Sequence, residues 1–392
     1  MGTLIPDING EACLMRDVVI AGYARSPFHL AGKGALARVR PDDLAATVIR
    51  GLIERTGVKP EDIEDIVLGC AFPEGEQGFN MARLVGLLAD LPLSVGGMTV
   101  NRFCGSSMSA IHIAAGQIQL GAGEAFICAG VESMSRVPMM GFNPLPNPVL
   151  AKKSAAYMGM GDTAENVATK YQITRAQQEA FAVASQDKAA AAVAAGKLDA
   201  EIVPIQTKAG VVDKDGTPRP GTTAEALAGL KPAFSQEGTV TAGTASPLTD
   251  GASAVLVTSE EYARANGLTI LARIKSVAVS GCQPEIMGIG PVEASRKALK
   301  RAGLDASQID VVELNEAFAS QALACIGDLG LDAAKVNLDG GAIAIGHPLG
   351  ATGARIVGKA AALLQREGGK YALATQCIGG GQGIATVLEA VE

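Results

Sequence analysis

Histidine is scarce in this chain, with 3 among 392 residues. Any imidazole chemistry must therefore come from His29, His112 or His347. Cysteine is sparse too: 7 residues, an odd number, with no CxxC pair. A disulfide framework and a zinc site are not expected, no metal is assigned, and free thiols in a reducing cytoplasm are the default. Charged residues are 19% of the chain against a usual ~25%, with a net charge of −7 and no block of Lys or Arg. Nucleic acid is not an expected partner on that balance. No apolar run reaches the ~20 residues of a membrane span. The N-terminal MGTLIPDINGEACLMRD lacks the basic start and apolar core of a signal peptide. Neither a membrane nor export is expected, so the location is read as cytoplasmic. GxGxxG, GxSxG and GxxxxGK followed by Ser or Thr are all missing. Dinucleotide, serine-hydrolase and P-loop chemistry lose their main support.

Glycine, by contrast, is in excess: 48 residues, against a usual share of ~7%. No G-X-Y period accompanies it, so collagen is excluded, and tight turns or close backbone approaches are indicated. A hydrophobic fraction of 48% excludes a disordered chain, and the length fits two or three domain-sized units. Apolar runs predict strands at 17–23, 63–70, 98–102 and 125–129, separated by helices at 41–55, 80–89 and 106–120. The C-terminal third repeats the order. Strands are predicted at 273–280, 310–314, 336–338, 371–375 and 384–388, with helices at 291–302, 317–329 and 351–365. Ile63–Ala71 aligns with Ile309–Ala317 and shares Ile, Leu and Ala at equal spacing, which supports duplication. The alternation indicates an α/β fold with a largely parallel sheet. Between the halves the chain becomes turn-rich. An Ala-rich helix at 174–196, opened by a Thr174/Gln177 capping box, stands within an inserted loop region of the kind that carries binding groups.

Three clusters fall where strands meet helices: Asn101-Arg-Phe-Cys104-Gly-Ser-Ser-Met108, Asn315-Glu-Ala-Phe318 and Gly346-His347-Pro-Leu-Gly350. A fourth is Cys377-Ile-Gly-Gly-Gly-Gln-Gly383. Cys104 precedes a helix, where free N–H groups and the positive dipole end would lower a thiol's pKa. His347 has glycine on both sides in the sequence around it, which lets a ligand approach the backbone. Cys377 ends a strand and precedes a glycine run where N–H groups converge. Cys13, Cys70, Cys128, Cys282 and Cys325 read as packed small hydrophobes. His112 reads as packed in its helix or facing a partner subunit, and His29 stays open.

These blocks, with Gly130-Val-Glu-Ser-Met-Ser135 and Gly238-Thr-Val-Thr-Ala-Gly-Thr-Ala-Ser246, resemble the thiolase family over essentially the whole chain. The resemblance implies a five-layered α-β-α-β-α fold, built from two duplicated βαβαβαββ halves plus a loop domain. The boundaries would be 1–121 with 249–270, 122–248 for the loop domain, and 271–392. It implies an acyltransferase: 3-oxoacyl-CoA and CoA give acyl-CoA and acetyl-CoA through an acyl-cysteine, as in fatty-acid β-oxidation. Condensation of two acetyl-CoA to acetoacetyl-CoA is the alternative. Cys104 would be the nucleophile, and His347 its activator. His347 would also form an oxyanion site with a water held by Asn315. Cys377 would be the acid/base at the α-carbon, and the N–H groups of Cys104 and Gly379 a second oxyanion hole. Arg219, Phe234, Ser246, Met160 and Phe318 match CoA-contacting positions. Gly159 and Ala226 depart from the acetoacetyl-type pattern, which often has His and Ser there. Coenzyme A and acyl-CoA are substrates, no cofactor is permanently bound, and the chain would form a homodimer or homotetramer.

Overall fold

The computed structural model describes residues 16–391, with the backbone of a short antiparallel pair, Leu4–Pro6 and Ala12–Leu14. The side chain of Cys13 and the rest of the first 15 residues lie outside the described residues. The first half runs β1 (Val18–Arg25), α1 (Pro41–Thr56), β2 (Ile63–Gly69), α2 (Met81–Leu88), β3 (Gly96–Val100), α3 (Ser106–Gln119) and β4 (Ala125–Ser133). An excursion then carries α4 (Met160–Lys170) and α5 (Arg175–Ala194), and β5 (Thr249–Ser259) returns to the sheet. The second half runs β6 (Ala272–Gly281), α6 (Gly290–Ala302), β7 (Val311–Leu314), α7 (Ala319–Leu329), α8 (Leu349–Glu367), β8 (Tyr371–Ile378) and β9 (Gln382–Glu389). Local chemistry explains the ends. Pro41 opens α1 with Asp42 and Asp43 in its first turn, and Gly57 closes it in the left-handed conformation. The capping box forms as its spacing predicts: Gln177 N–H donates to Thr174 Oγ1 at 3.3 Å, and Thr174 N–H to Gln177 Oε1 at 2.8 Å.

The strand order is β7-β8-β9-β6-β1-β5-β4-β2-β3. The two halves meet at β6 and β1 through only two residue pairs, Ala272 with Ile20 and Arg273 with Val19. The expectation of a largely parallel sheet is corrected. Only β2 with β3 and β4, and β7 with β8, run parallel; β1, β5, β6 and β9 pair antiparallel. The three-residue connection from β8 to β9 permits nothing else, because a parallel pair needs a long crossover. Residues 336–338 reduce to a single parallel bridge, Val336 to Val312. β4 is hydrogen-bonded between β2 and β5, so a loop region drawn from residue 122 takes in one core strand.

Alternation along each strand assigns the layers. In the first half Ile66, Ile127 and Leu256 pack with α1 and α2, while Val67, Cys128, Val255 and Val257 pack with α3 and α8. In the second half Val312 and Leu373 pack with α6 and α7, while Val311, Ala372 and Ala374 face the same central helices. The result is helix, sheet, helix, sheet, helix. The central layer is tight. A side chain at Gly353 of α8 would strike the backbone of Met108 in α3, so only glycine fits. Ser107 Oγ accepts the Ala354 N–H at 2.8 Å, which joins the N-terminal turns of α3 and α8.

α8 is buried from Leu349 to Ala361, including two cations. Arg355 pairs with Glu313 at 2.9 Å, and Lys359 with Glu201 at 2.9 Å and Asp339 at 2.7 Å. Burial pushes the Glu313 carboxyl up to about 7, against the opposing pull of Arg355. Truncating one member of such a pair costs about 3–5 kcal/mol, because the other charge is stranded. Among the described residues no helix is long and apolar enough to cross a membrane.

Candidate active site

Cys104 and His347 each stand two residues ahead of a central helix, α3 and α8 respectively. Because those N-termini adjoin, the duplicated fold brings the thiol and the imidazole to one end of the sheet. The turn before Cys104 is pinned from several sides. Asn101 Oδ1 accepts the Phe103 N–H at 2.8 Å, and Arg102 donates to Ser109 Oγ at 2.8 Å and to Gln382 Oε1 at 3.1 Å. Gln376 Nε2 donates to the Cys104 carbonyl. Phe103 sits at φ 44°, a costly conformation for a bulky residue, held by these contacts.

Cys104 is half-buried. Its sulfur meets the backbone N–H groups of Gly379 and of Cys104 itself, which favour the thiolate. Burial opposes them, aided by the Glu132 charge, and pushes the thiol up to about 12. The sequence expectation of a lowered pKa is therefore reversed: desolvation outweighs the N–H groups. Cys377 is buried near the end of β8. Burial raises its thiol well above the ordinary value, and the Cys104 thiol adds to the shift. Gly380 and Gly381 take φ of 80° and 88°, turning the chain into β9 while Gly379 N–H faces Cys104.

His347 is buried and held at both ring nitrogens. Thr352 Oγ1 lies 2.6 Å from Nδ1 and donates its own proton to the Pro348 carbonyl at 3.1 Å. Thr352 is thus an acceptor toward the ring, so Nδ1 carries the hydrogen and Nε2 is bare. Asn315 Nδ2 approaches Nε2 at 3.4 Å. Burial, and after it Arg355, depress the imidazole pKa to about 3, so His347 is neutral at physiological pH. Asn315 is positioned by its N–H to Thr375 O at 3.0 Å, and its buried Oδ1 has no hydrogen-bond partner among the described residues. The resting pair is a neutral thiol and a neutral base. The rate of Cys104 alkylation by iodoacetamide should therefore climb with pH from 6 to 9. A rate independent of pH over that range would mean a preformed thiolate–imidazolium pair and would contradict this state.

One family model, the thiolase N-terminal domain, matches residues 18–261, and the thiolase C-terminal domain matches 268–390. The chain belongs to the thiolase family. A 3-ketoacyl-CoA thiolase of Bacillus subtilis is 49% identical over 389 residues, covering 96% of this chain and 100% of that relative. One of Marinobacter nauticus is 50% identical over 388 residues, covering 96% and 99%. The crystal structure of human mitochondrial 3-ketoacyl-CoA thiolase superposes with a TM-score of 0.89 at 39% identity, over 97% of this chain and 100% of that one. A second human structure, in complex with CoA, gives 0.89 and 39% over 96% and 98%.

In this thiolase several residues matched to CoA contacts lie together. Phe234 and Phe318 meet edge to face at 5.9 Å. Ser246 Oγ donates to Ala317 O at 3.1 Å, beside Phe318. Met160 packs in the same apolar cluster as Phe318 and Cys377. Arg219 is exposed, with its backbone N–H on Gln186 Oε1 at 2.8 Å. His29 and His112 lie outside the cluster. His29 Nε2 contacts Lys214 O at 3.1 Å, and half-buried His112 contacts Thr386 Oγ1 at 2.8 Å. Cys70, Cys128 and Cys325 are buried as expected, and Cys282 is half-buried.

Sequence reasoning missed the groups that hold the site together. The buried Glu132 carboxylate accepts the N–H groups of Ala71 at 2.8 Å, Phe72 at 3.2 Å and Gly350 at 2.9 Å, and Gln77 Nε2 at 2.8 Å. It ties the end of β4 to the start of α8 behind Cys104. Glu316 does the same for the glycine-rich loop, accepting from Ser185 Oγ at 2.7 Å, Asn337 Nδ2 at 2.8 Å and Ile343 N–H at 3.1 Å. A lone carboxylate closing an otherwise apolar strand, Ala-Phe-Ile-Cys-Ala-Gly-Val-Glu132, was the available signal for the first.

Proposed function

We propose that the chain cleaves 3-oxoacyl-CoA with CoA, yielding acetyl-CoA and a shortened acyl-CoA, with an acyl group carried on Cys104. The observation that carries the proposal is the Cys104 sulfur facing the Gly379 and Cys104 N–H groups, close to a second buried thiol and on the same helix-end layer as a neutral imidazole. His347 Nε2 takes the Cys104 proton, and the thiolate attacks the 3-oxo carbon. The bond between C2 and C3 breaks as Cys377 gives its proton to C2, and acetyl-CoA departs. Incoming CoA–SH passes its proton to the Cys377 thiolate and attacks the acyl carbonyl. Cys104 leaves as thiolate and recovers its proton from His347. The carbonyl oxygen on Cys104 would rest on the N–H groups of Cys104 and Gly379. The enolate oxygen would rest on protonated His347 and on a water held by Asn315.

CoA would enter over the loop domain, past Phe234, Ser246, Phe318 and Met160, with Arg219 at the surface for its phosphates. Self-association through β3 is part of the proposal. That strand has one neighbour in the sheet, and Phe79, 94% exposed, and Leu93, 78% exposed, flank it. Edges of this kind invite pairing, which fits a homodimer and, from two of them, a homotetramer. A reducing cytoplasm suits a mechanism that needs two free thiols. The test is direct: incubation with a 3-oxoacyl-CoA and CoA should yield acetyl-CoA and an acyl-CoA two carbons shorter. Absence of both products would sink the proposal.

Thr352 acts through His347. Thr352→Val keeps the shape but removes the acceptor for Nδ1–H, so the ring loses its tautomer. A fall in kcat/KM of about 10–100-fold is expected, with Thr352→Ser restoring most of it. Equal losses in the two variants would make Thr352 a packing residue only.

A further inference from the structure

The turn that holds Cys104 belongs to the first half, yet it is seated on the β8–β9 hairpin of the second. Gln376 Nε2 donates to the Cys104 carbonyl. A side chain at Gly105 would meet Ile378 Cδ1 at 2.5 Å and Ile384 Cγ2 at 3.3 Å, so the turn lies directly against both strands. Gln382 Oε1 accepts from Arg102 at 3.1 Å. Gln376 directly precedes Cys377 in β8, so the two side chains leave opposite faces of the strand. Cys377 packs with Met287 and Phe318, while Gln376 reaches the main chain of Cys104. One strand thus carries the second thiol and holds the backbone of the first.

Glutamine is a costly residue at that position. Gln376 is 0% exposed, and its Oε1 has no hydrogen-bond partner among the described residues. A buried amide with one unpaired group loses hydration that nothing replaces. A leucine or methionine would fill the same face of β8 without a polar group to satisfy. What glutamine supplies is the N–H donor to the Cys104 carbonyl. Cys104 is then fixed from both sides. Asn101 Oδ1 accepts the N–H of Phe103 just before it, and Gln376 holds the carbonyl just after its sulfur. That sulfur meets the N–H of Gly379, from the turn of the same hairpin.

We propose that Gln376 is a positioning residue for acyl transfer: by holding the Cys104 carbonyl, it keeps the Cys104 sulfur and N–H in register with the Gly379 N–H. The proposal rests on Cys104 as the acyl carrier. Gln376 touches no substrate. It acts through the Cys104 backbone, so its loss changes the geometry of the reacting groups and leaves the thiol itself in place.

The experiment measures kcat and KM for cleavage of 3-oxohexanoyl-CoA by CoA, with the melting temperature alongside, in the wild type, Gln376→Leu and Gln376→Met. Both variants keep the bulk and lose the donor; unbranched Met serves if Leu disturbs the strand. kcat should fall about 10–100-fold, the effect of displacing a reacting group by about 1 Å, with KM little changed. The melting temperature should stay at or above that of the wild type, because the unpartnered amide is gone. Alkylation of Cys104 by iodoacetamide, which uses no oxyanion donors, should change far less than kcat. Turnover equal to the wild type in a folded variant overturns the assignment. So does a loss carried by KM, or one matched by a fall in melting temperature, which would make Gln376 a packing residue. A wild-type chain that cleaves no 3-oxoacyl-CoA overturns the thiolase reaction itself, and this role with it.

Discussion

Replacing Cys104 with alanine is expected to abolish acyl transfer, by at least about 10⁴-fold in kcat. Intact-mass measurement after incubation with acetyl-CoA should show an acetyl adduct on the wild-type chain and none on the variant. Cys377, the described thiol that shares the site with Cys104, is 1% exposed and is not placed to take over. Its thiol is pushed well above the ordinary value, and it is the Cys104 sulfur that meets the Gly379 N–H. An acyl group on Cys377 would have its own N–H but would lack the Gly379 donor that completes the pair at Cys104. Stability should change little. Cys104 is half-buried and packs at the margin of the small apolar cluster of Ala71, Met134 and Leu349, so a shift of about 1 kcal/mol is the expected scale. A variant that kept an adduct would move the nucleophile to another residue. One that lost the adduct and also unfolded would need Cys104→Ser, which preserves size, to separate chemistry from folding.

Much of the candidate site's placement at strand and helix ends was legible before the structure, for a physical reason. A group that must face substrate at a strand end or helix start is flanked by residues that let backbone come close. Cys104, His347 and Cys377 thus sit in glycine-rich, low-complexity surroundings that local reading detects. The core strands were legible because burial on both faces leaves uninterrupted apolar runs such as Val18–Ile20. What failed depends on distant partners. The pKa of Cys104 follows from how much water the fold removes, and no local motif reports that. Thr352 matters because Pro348 and His347 share its hydroxyl across a helical turn. Glu132 gathers N–H groups from residues far apart in sequence. β5 was missed because it begins Thr-Asp-Gly-Ala-Ser, small and polar, though Asp250 and Ser253 are buried. There the sheet, not composition, decides.

Cys377→Ala should separate the two halves of the reaction. In the proposed reaction, loading of Cys104 from an acyl-CoA uses that thiol, His347 and the N–H groups of Cys104 and Gly379, and none of these is removed. The adduct should still form. Cleavage of a 3-oxoacyl-CoA needs a proton delivered to C2 as the carbon–carbon bond breaks, and condensation needs one withdrawn. Loss of that acid/base should lower turnover about 10²–10⁴-fold. The high pKa of Cys377 supports the assignment. A thiol kept protonated by burial is a ready acid toward an enolate carbon, and its strongly basic thiolate can take the proton back from the incoming CoA thiol. Solvent exchange provides a second readout. Acetyl-CoA incubated with the wild-type enzyme in D2O should gain deuterium at its methyl group, and the variant should not. Normal turnover, or undiminished exchange, would assign the proton transfer to another group, with His347 the first candidate to test. Loss of loading together with turnover would instead mean that Cys377 holds Gly379 in place for Cys104, and that its role is positional.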